Sequence, residues 1–309
     1  MNTQSPSVVV GVDGSVPAAA AARAAAREAG RRQLPLRVVR AFHWPAGDLP
    51  GLPDAFDAAA ASRHSANGDL ERLRRDLADV LPAWAISIEL LDGRPESVLC
   101  RAARAGDLLV VGASGLTWGS DGVLGSVAEA VAATAPCPVL VHRDPNPLQR
   151  CHGVVVGVDG AAGSDEVLAT AATEADLRGE PLTVVHAWRQ LTEDAAHSLR
   201  WRLDGVTSVA AETAAVEPLV AQLRNRRPGL AVDVVVQQGR AGQVLVQAAA
   251  SASLVVVGRR DIAAGGPGAT VHSVLHRVGV PVLTVPFASS VDARTTDRTT
   301  GAVTAPFGG

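Results

Sequence analysis

Short apolar runs alternate with alanine-rich segments along the chain. The runs VVVGV at 8–12 and LLVVG at 108–112 have no polar residue at alternate positions, which is typical of parallel strands buried on both faces. In the first half, this pattern predicts strands at about 7–12, 36–42, 85–91, 107–112 and 138–142. Between them it predicts helices at about 17–31, 54–80, 95–105 and 124–134.

The second half of the chain repeats the first. VVVGVDG at 8–14 recurs letter for letter at 154–160, and the same offset of 146 residues aligns the two halves as far as Gly112 and Gly258. A repeat of this length indicates two copies of one domain.

Beyond Gly258 the offset falls to 143, which aligns APCPVLV at 135–141 with VGVPVLT at 278–284. The second copy therefore has a shorter loop after its fourth strand. The difference lies in the part of the chain that is richest in glycine in the first copy.

We predict two homologous domains joined by a short linker. The expected divisions are an N-terminal extension at 1–6, a first domain at 7–143, a linker at 144–150, a second domain at 151–286 and a disordered tail at 287–309. Each domain is expected to be α/β, an open, doubly wound, Rossmann-like parallel sheet of five strands in the order 3-2-1-4-5 with helices on both faces.

The last strand of each domain is expected to pair outside its own domain. Pro138 opens the first of these strands, and proline is tolerated at a sheet edge because it has no N–H to donate. The edge strands at about 138–142 and 281–285 are therefore candidates for pairing, either within the chain as a pseudo-dimer or between chains as a homodimer.

Composition excludes several function classes. The 309 residues carry a net charge of −3 and an isoelectric point near 6.2, with 3% aromatic residues and no tyrosine. Nucleic-acid surfaces are normally basic, and those for single strands use aromatic platforms, so we expect no nucleic-acid partner. The chain has no lysine, which excludes the lysine of a P-loop, a kinase or a Schiff-base enzyme.

The three cysteines and the start of the chain favour a cytoplasmic location. Cys100, Cys137 and Cys151 have no CxxC spacing, which fits a reducing compartment. The opening MNTQSPSVVVGVDG does not have the pattern of a signal peptide, and no apolar run has transmembrane length, so we expect no membrane partner.

The densest glycine cluster follows the fourth predicted strand. VVGASGLTWGSDGVLGS at 110–126 leads into a predicted helix, and GVDGS at 11–15 follows the first strand. In the order 3-2-1-4-5 these two loops flank the topological switch point, where ligands of such sheets bind. Glycine allows close backbone approach, and a helix start offers free N–H groups, which suits a phosphate.

These motifs resemble the universal stress protein family in a tandem form. The resemblance is carried by GVDGS, by the spacing Gly112, two residues, Gly115, nine residues, Gly125-Ser126, and by APCPVLV. It covers nearly the whole chain apart from the linker and tail. In the family this glycine spacing marks members that bind ATP, so the resemblance implies ATP in the first domain, with Mg²⁺ on its phosphates.

The resemblance also implies roles for individual residues. Gly112, Gly115, Gly125 and Ser126 would hold the phosphates, and Val127 and Ala128 would continue that contact. Gly11, Val12 and Asp13 would meet the ribose and adenine, and the backbone of Ala41 would lie against the base. Ala128 departs from the family pattern, which usually has Ser or Thr there. One phosphate hydrogen bond, worth about 1 kcal/mol, is then missing.

Each of these features also has a purely structural interpretation. Asp13 could form a turn and cap the next helix, Ser126 could be only a helix N-cap, and the glycine loop could be a flexible connection. Cys100 and Cys137 are interpreted as packing residues. His272 and His276 are four apart on a predicted helix, but HSVLH lacks the glutamate of HExxH and suggests no third ligand, so we predict no metal site. GASG is not a nucleophile elbow, and we predict no catalytic residue.

The second copy does not keep the glycine pattern. Its loop reads VVVGRRDIAAGGPGATVHS, where Gly258 survives, Asp261 replaces the second glycine and Ala269 replaces Ser126. A carboxylate repels a polyphosphate, although Arg259 and Arg260 could offset it. We expect the second site to bind ATP much more weakly, or to take a smaller adenine ligand.

The sequence thus predicts a non-enzymatic regulator or switch of the stress response that binds an adenine nucleotide. One alternative is a slow ATPase or phosphoryl-transfer enzyme, for which Asp13 would be the only obvious general base beside the loop. The other is a scaffold that binds no nucleotide.

Overall fold

The computed structural model describes residues 5–44, 57–115, 124–144, 151–161, 163–189, 209–260 and 268–287. Ten strands lie within these ranges: β1 Val8–Gly11, β2 Leu36–Phe42, β3 Ile86–Asp92, β4 Leu108–Gly112, β5 Val139–His142, β6 Val154–Val158, β7 Leu182–Trp188, β8 Val232–Gln238, β9 Leu254–Arg260 and β10 Val282–Phe287.

Eight α-helices are described with them. They are α1 Val16–Arg32, α2 Ala58–Leu77, α3 Pro95–Ala102, α4 Ser126–Thr134, α5 Ser164–Arg178, α6 Val209–Arg226, α7 Ala241–Ala248 and α8 Ala269–Arg277. None of them is both long and apolar enough to cross a membrane.

The strand order within each repeat confirms the prediction. The first repeat has the order β3-β2-β1-β4-β5 and the second has β8-β7-β6-β9-β10, and all pairs within a repeat are parallel. Nine of the described elements of the first repeat fall within a few residues of the predicted bounds. The predicted helix residues 54–56, the linker residues 145–150 and the tail residues 288–309 lie outside the described part.

The two five-stranded halves form one continuous sheet of ten strands. β5 and β10 pair antiparallel, and Leu140 lies opposite Leu283, its equivalent under the offset of 143 residues. The edge strands therefore pair with each other within the chain, which is one of the two arrangements that the sequence left open. An approximate two-fold axis passes through this pair, because equivalent residues face each other there.

Alternate residues of the central strands fill two apolar layers. Val8 and Val10 of β1 belong to the layer beneath α1, α2, α5 and α6, whereas Val9 belongs to the layer beneath α3, α4, α7 and α8. α1 packs closely on the sheet because its buried positions are alanines spaced three and four residues apart, such as Ala18, Ala22 and Ala25. Both layers run through both repeats, so the core is shared.

Candidate functional site

A cavity of about 290 Å³ opens at the carboxyl ends of β1, β2 and β4 and at the start of α4. All ten residues that the sequence proposed for the first domain line it: Gly11, Val12, Asp13, Ala41, Gly112, Gly115, Gly125, Ser126, Val127 and Ala128. The fold places this cavity at the switch point because β1 and β4 are neighbours whose following helices lie on opposite faces of the sheet. Residues 116–123 of the glycine loop lie outside the described part.

Two glycines are required by close approach. A Cβ at Gly115 would lie 2.7 Å from Oδ2 of Asp13, and one at Gly11 would lie 2.6 Å from the side chain of Leu99. A larger residue at Gly115 would therefore displace the Asp13 carboxylate from the cavity wall. The two loops meet because Gly115 has no side chain where it faces the Asp13 carboxylate.

The start of α4 faces the cavity with its backbone. Gly125 is the N-cap, with φ −70° and ψ 147°, and its N–H donates to Ala113 O at 2.7 Å. Ser126 is the first helical residue and makes no capping hydrogen bond, so the interpretation of Ser126 as an N-cap is wrong. A helix start of this kind can bind an anion through the N–H groups of its first turn, and the exposed Ser126 hydroxyl lines the same cavity.

Asp13 is part of a turn as well as part of the cavity wall. Its Oδ1 accepts a hydrogen bond from Ser15 N at 2.9 Å, while Oδ2 faces Gly115. The N-cap of α1 is Ser15, whose hydroxyl accepts from Ala18 N at 3.2 Å, so Asp13 does not itself cap the helix. Among the described residues that line the cavity, Asp13 is the one titratable group.

Several lining residues were not proposed from the sequence. Val39 on β2, Val111 on β4, and Pro95 and Leu99 on α3 give the cavity an apolar wall, and Ala18 and Ser114 complete the lining. The position of Pro95 and Leu99 could have been predicted from the strand order. The helix that connects strand 3 to strand 4 must cross one face of β2 and β1, which lie between them. A planar apolar group would fit against this wall.

The second repeat has an equivalent cavity of about 390 Å³ with a different charge arrangement. Arg260 lines it and donates to Oδ2 of Asp159 at 2.9 Å, and Oδ1 accepts from Ala161 N and from the Ser164 hydroxyl. Burial alone would raise the pKa of Asp159, but these hydrogen bonds and the Arg260 charge outweigh it and lower the pKa below its ordinary value. The acidic group of this cavity is therefore already neutralised by the chain itself.

Phe287 narrows the second cavity. A Cβ on Gly258 would lie 2.7 Å from its ring, and Val158 and Val167 line the same cavity. Asp144 is its equivalent in the first repeat under the offset of 143 residues. The ring of Phe287 and the ion pair of Arg260 with Asp159 make the second cavity unlike the first. Asp261 lies outside the described residues.

Arg259 does not face the second cavity, so its expected role beside a phosphate is wrong. The side chain is 2% exposed and donates to Ala133 O at 2.6 Å and to Ala135 O at 2.5 Å, both at the end of α4 in the other repeat. Successive residues of a strand point to opposite faces, so Arg260 turns to the cavity and Arg259 to the neighbouring repeat.

Cys137 lies in a setting that disfavours reaction of its thiol. Cys137 is 1% exposed, and burial raises the pKa of its thiol to about 12. Cys100 is half-buried, with Sγ 3.4 Å from the Thr134 hydroxyl. A thiol must ionise to act as a nucleophile, so the structure favours the packing interpretation of Cys137.

Known proteins are similar to this chain in sequence over most of its length. A family model described as the universal stress protein family matches residues 6–143 and again residues 152–286. Universal stress protein Rv2005c of Mycobacterium tuberculosis is 32% identical over 289 residues, covering 89% of this chain and 95% of that protein.

Solved structures agree on the fold. A universal stress protein from Archaeoglobus fulgidus aligns with a TM-score of 0.62 and 19% identity, covering 92% of this chain and 97% of that one. A shorter match, with a TM-score of 0.34 and 22% identity, covers 44% of this chain and 98% of a universal stress protein in complex with cAMP. The family model matches both halves, and so this chain belongs to the universal stress protein family, in a tandem form.

Proposed function

We propose that the first repeat binds ATP in the cavity between β1, β4 and α4. The observation that carries this proposal is the meeting of two kinds of wall in one cavity. The helix start at Gly125 and Ser126 offers N–H groups and a hydroxyl for phosphates, and the side formed by Val39 and Leu99 is apolar. Asp13 Oδ2 lies between them as an acceptor for ribose hydroxyls.

The protein acts as a binding switch in this proposal, without chemistry on the nucleotide. Asp13 is the one titratable group among the described residues of the cavity, and its Oδ1 is held by the turn at Ser15. The chain has no lysine to stabilise charge on a transferring phosphoryl group. In that case Mg²⁺ would be bound mainly by the phosphates of the nucleotide and less by the protein.

The second repeat is proposed to bind ATP much more weakly. Arg260 would have to leave Asp159 before it could meet a phosphate, and Phe287 occupies part of the space. The helix start there has Ala269 in place of Ser126, which removes one hydroxyl donor. The expected stoichiometry is therefore one ATP per chain.

The continuous sheet gives a route from nucleotide binding to regulation. Binding that favours one arrangement of the repeats shifts the population of that arrangement. In this proposal the two repeats act as an intramolecular pseudo-dimer in the cytoplasm, joined by the pairing of β5 with β10.

The test is the nucleotide content of the protein purified without added ligand. The protein is denatured, and released nucleotides are identified by chromatography as moles per chain. About one ATP per chain is expected, and it should be lost in Gly115→Asp, because the new carboxylate would meet Asp13 and the phosphates. Gly229→Asp is the matched control, since a Cβ there meets nothing within 4 Å.

Other outcomes decide between the alternatives. Equal ATP content in Gly115→Asp and Gly229→Asp would show that the ligand does not bind in this cavity. No released nucleotide and no thermal stabilisation by added ATP would leave the scaffold as the function. Magnesium-dependent turnover that disappears in Asp13→Ala would support the ATPase.

A further inference from the structure

Three side chains with metal-binding atoms meet where α4 of the first repeat packs beside α8 of the second. His272 Nδ1 lies 3.1 Å from Glu129 Oε1, and His276 Nε2 lies 3.7 Å from the same oxygen. The three ligand atoms all lie within 4.8 Å of one another. The sequence showed the two histidines but not the third group, which lies 143 residues before His272.

The position of the cluster follows from the two-fold relation between the repeats. Glu129 and His272 are equivalent residues under the offset of 143, and each is the fourth residue of its helix, α4 or α8. The axis through β5 and β10 brings equivalent positions of these helices together. His276 follows one turn later on the same face of α8, and its ring centroid is 4.2 Å from that of His272.

The distances agree with those between ligands of a single ion. Two atoms bound to one tetrahedral Zn²⁺, each about 2.0–2.1 Å from it, lie about 3.3–3.4 Å apart. The separations of 3.1 and 3.7 Å lie on either side of this value. Small changes of rotamer would bring all three atoms around one centre.

His276 supplies an independent observation. Its Nε2 is buried and has no hydrogen-bond partner within the described part of the chain, because Glu129 Oε1 is too distant. A buried nitrogen without a partner is costly, and an ion between this nitrogen and the carboxylate would satisfy it.

We propose that Glu129, His272 and His276 bind one divalent transition-metal ion and that this ion holds the two repeats together. Two imidazoles and one carboxylate are a ligand set that Zn²⁺ prefers, whereas Mg²⁺ prefers oxygen ligands alone. His272 is 55% exposed, so water reaches the site and completes the coordination. The site is separate from both cavities.

The ion would also connect the two cavities. Residues 126–128 of α4 line the first cavity directly before Glu129, and residues 269–271 of α8 line the second directly before His272. A metal that fixes these two helix starts relative to each other would therefore act on both cavities at once. This consequence does not depend on which ligand the cavities take.

The test is calorimetric titration of the untagged, chelator-treated full-length protein with ZnCl₂, without nucleotide. One ion per chain is expected, with an affinity that excess Mg²⁺ does not lower. His272→Ala and His276→Ala should bind Zn²⁺ at least about tenfold more weakly, since loss of even an outer partner of a metal ligand costs about 10–100-fold. His64→Ala, an exposed histidine on α2, is the matched control.

A thermal-shift measurement separates loss of Zn²⁺ binding from a folding defect, because each variant is compared with itself in the presence and absence of Zn²⁺. Saturating Zn²⁺ should raise the Tm of the wild type and of His64→Ala by the same amount and that of His272→Ala by less, because a tenfold weaker affinity removes about 1.4 kcal/mol of stabilisation by the ion. His272 is exposed enough that its alanine variant should melt like the wild type in chelator. Equal Zn²⁺ affinity in His272→Ala and His64→Ala, or no Zn²⁺ heat in the wild type, would overturn the proposal and leave the cluster as a hydrogen-bonded contact.

Discussion

At the scale of single residues, Arg259 and Arg260 are neighbours with different environments. Arg259 is buried and donates to the carbonyl oxygens of Ala133 and Ala135 in the other repeat. Arg260 is 52% exposed and pairs with an equally exposed Asp159. An arginine side chain therefore joins the two repeats at position 259, and another lines an open cavity at position 260.

We predict that Arg259→Met lowers the free energy of unfolding by about 3 kcal/mol, because two buried carbonyl groups lose charged donors. Arg260→Met should cost less than about 1 kcal/mol, since an exposed ion pair contributes little. Urea denaturation of the two variants measures both values. Similar losses in the two variants would contradict the difference in burial.

The candidate site shows what residue patterns can predict. Glycine spacing located the loop that lines the first cavity, because small residues are needed wherever two loops approach each other, as Gly115 and Asp13 do, and the family resemblance named ten of the lining residues. The roles of Arg259 and Ser126 were not predictable in this way. They depend on which side of a strand or which end of a turn a side chain occupies, and a shift of one residue changes both.

At the scale of the element, β5 ends in a buried titratable residue, His142. His142 is buried, and burial lowers its pKa below the ordinary value of 6.5, although Asp144 at 3.2 Å acts in the opposite direction. A buried neutral histidine binds protons less readily in the folded state than in the unfolded state. Its contribution to stability is therefore lost as pH falls through 6.5.

We predict that the Tm of the wild type falls more steeply between about pH 7.5 and pH 5.5 than the Tm of His142→Gln. Glutamine fills similar space and does not titrate. His64→Gln, an exposed substitution on α2, should keep the steep wild-type dependence. A His142→Gln profile that matches the wild type would show that the proton is taken up elsewhere.

Element bounds followed the sequence closely, with one informative shift. The helix predicted at 124–134 begins at Ser126, because Gly125 has extended backbone angles and bonds back to Ala113. Continuous apolar runs identify buried parallel strands well, since every position faces one of two cores. Loop-to-helix boundaries are set by single hydrogen bonds, which periodicity does not reveal.

At the scale of the whole molecule, four charged residues lie across the two-fold axis. Glu28 and Arg32 of α1 meet their equivalents Glu174 and Arg178 of α5, and each arginine contacts both glutamates. Burial alone would raise the pKa of Glu28, but the charges of Arg178 and Arg32 outweigh it and hold the pKa below 4.5. Glu28 is therefore charged in the folded protein, and its contribution to stability is lost as pH falls below 4.5 through its lowered pKa.

We predict that Arg178→Met destabilises the protein by about 3 kcal/mol, because it leaves the two buried carboxylates of Glu28 and Glu174 with Arg32 as their one shared buried arginine. Arg31 is the matched control: it lies 2.7 Å from the same Glu28 oxygen as Arg178, but its side chain is 42% exposed whereas that of Arg178 is 8% exposed. Arg31→Met should cost less than about 1 kcal/mol. Equal unfolding midpoints for the two variants would show that burial of the cluster adds nothing.

The sequence by itself determined the family, the two copies, the strand order within each and ten of the residues that line the first cavity. These properties follow from the periodicity of apolar residues, from the spacing of glycines and from the similarity of the two halves, all of which can be seen in the order of the residues. Only the tertiary structure decided how the copies meet. The antiparallel pairing of β5 with β10, the inward turn of Arg259 and the approach of Glu129 to His272 and His276 all join residues more than 120 positions apart. Such contacts depend on how the surfaces of the two folded repeats pack against each other, and no local sequence pattern determines the geometry of that packing.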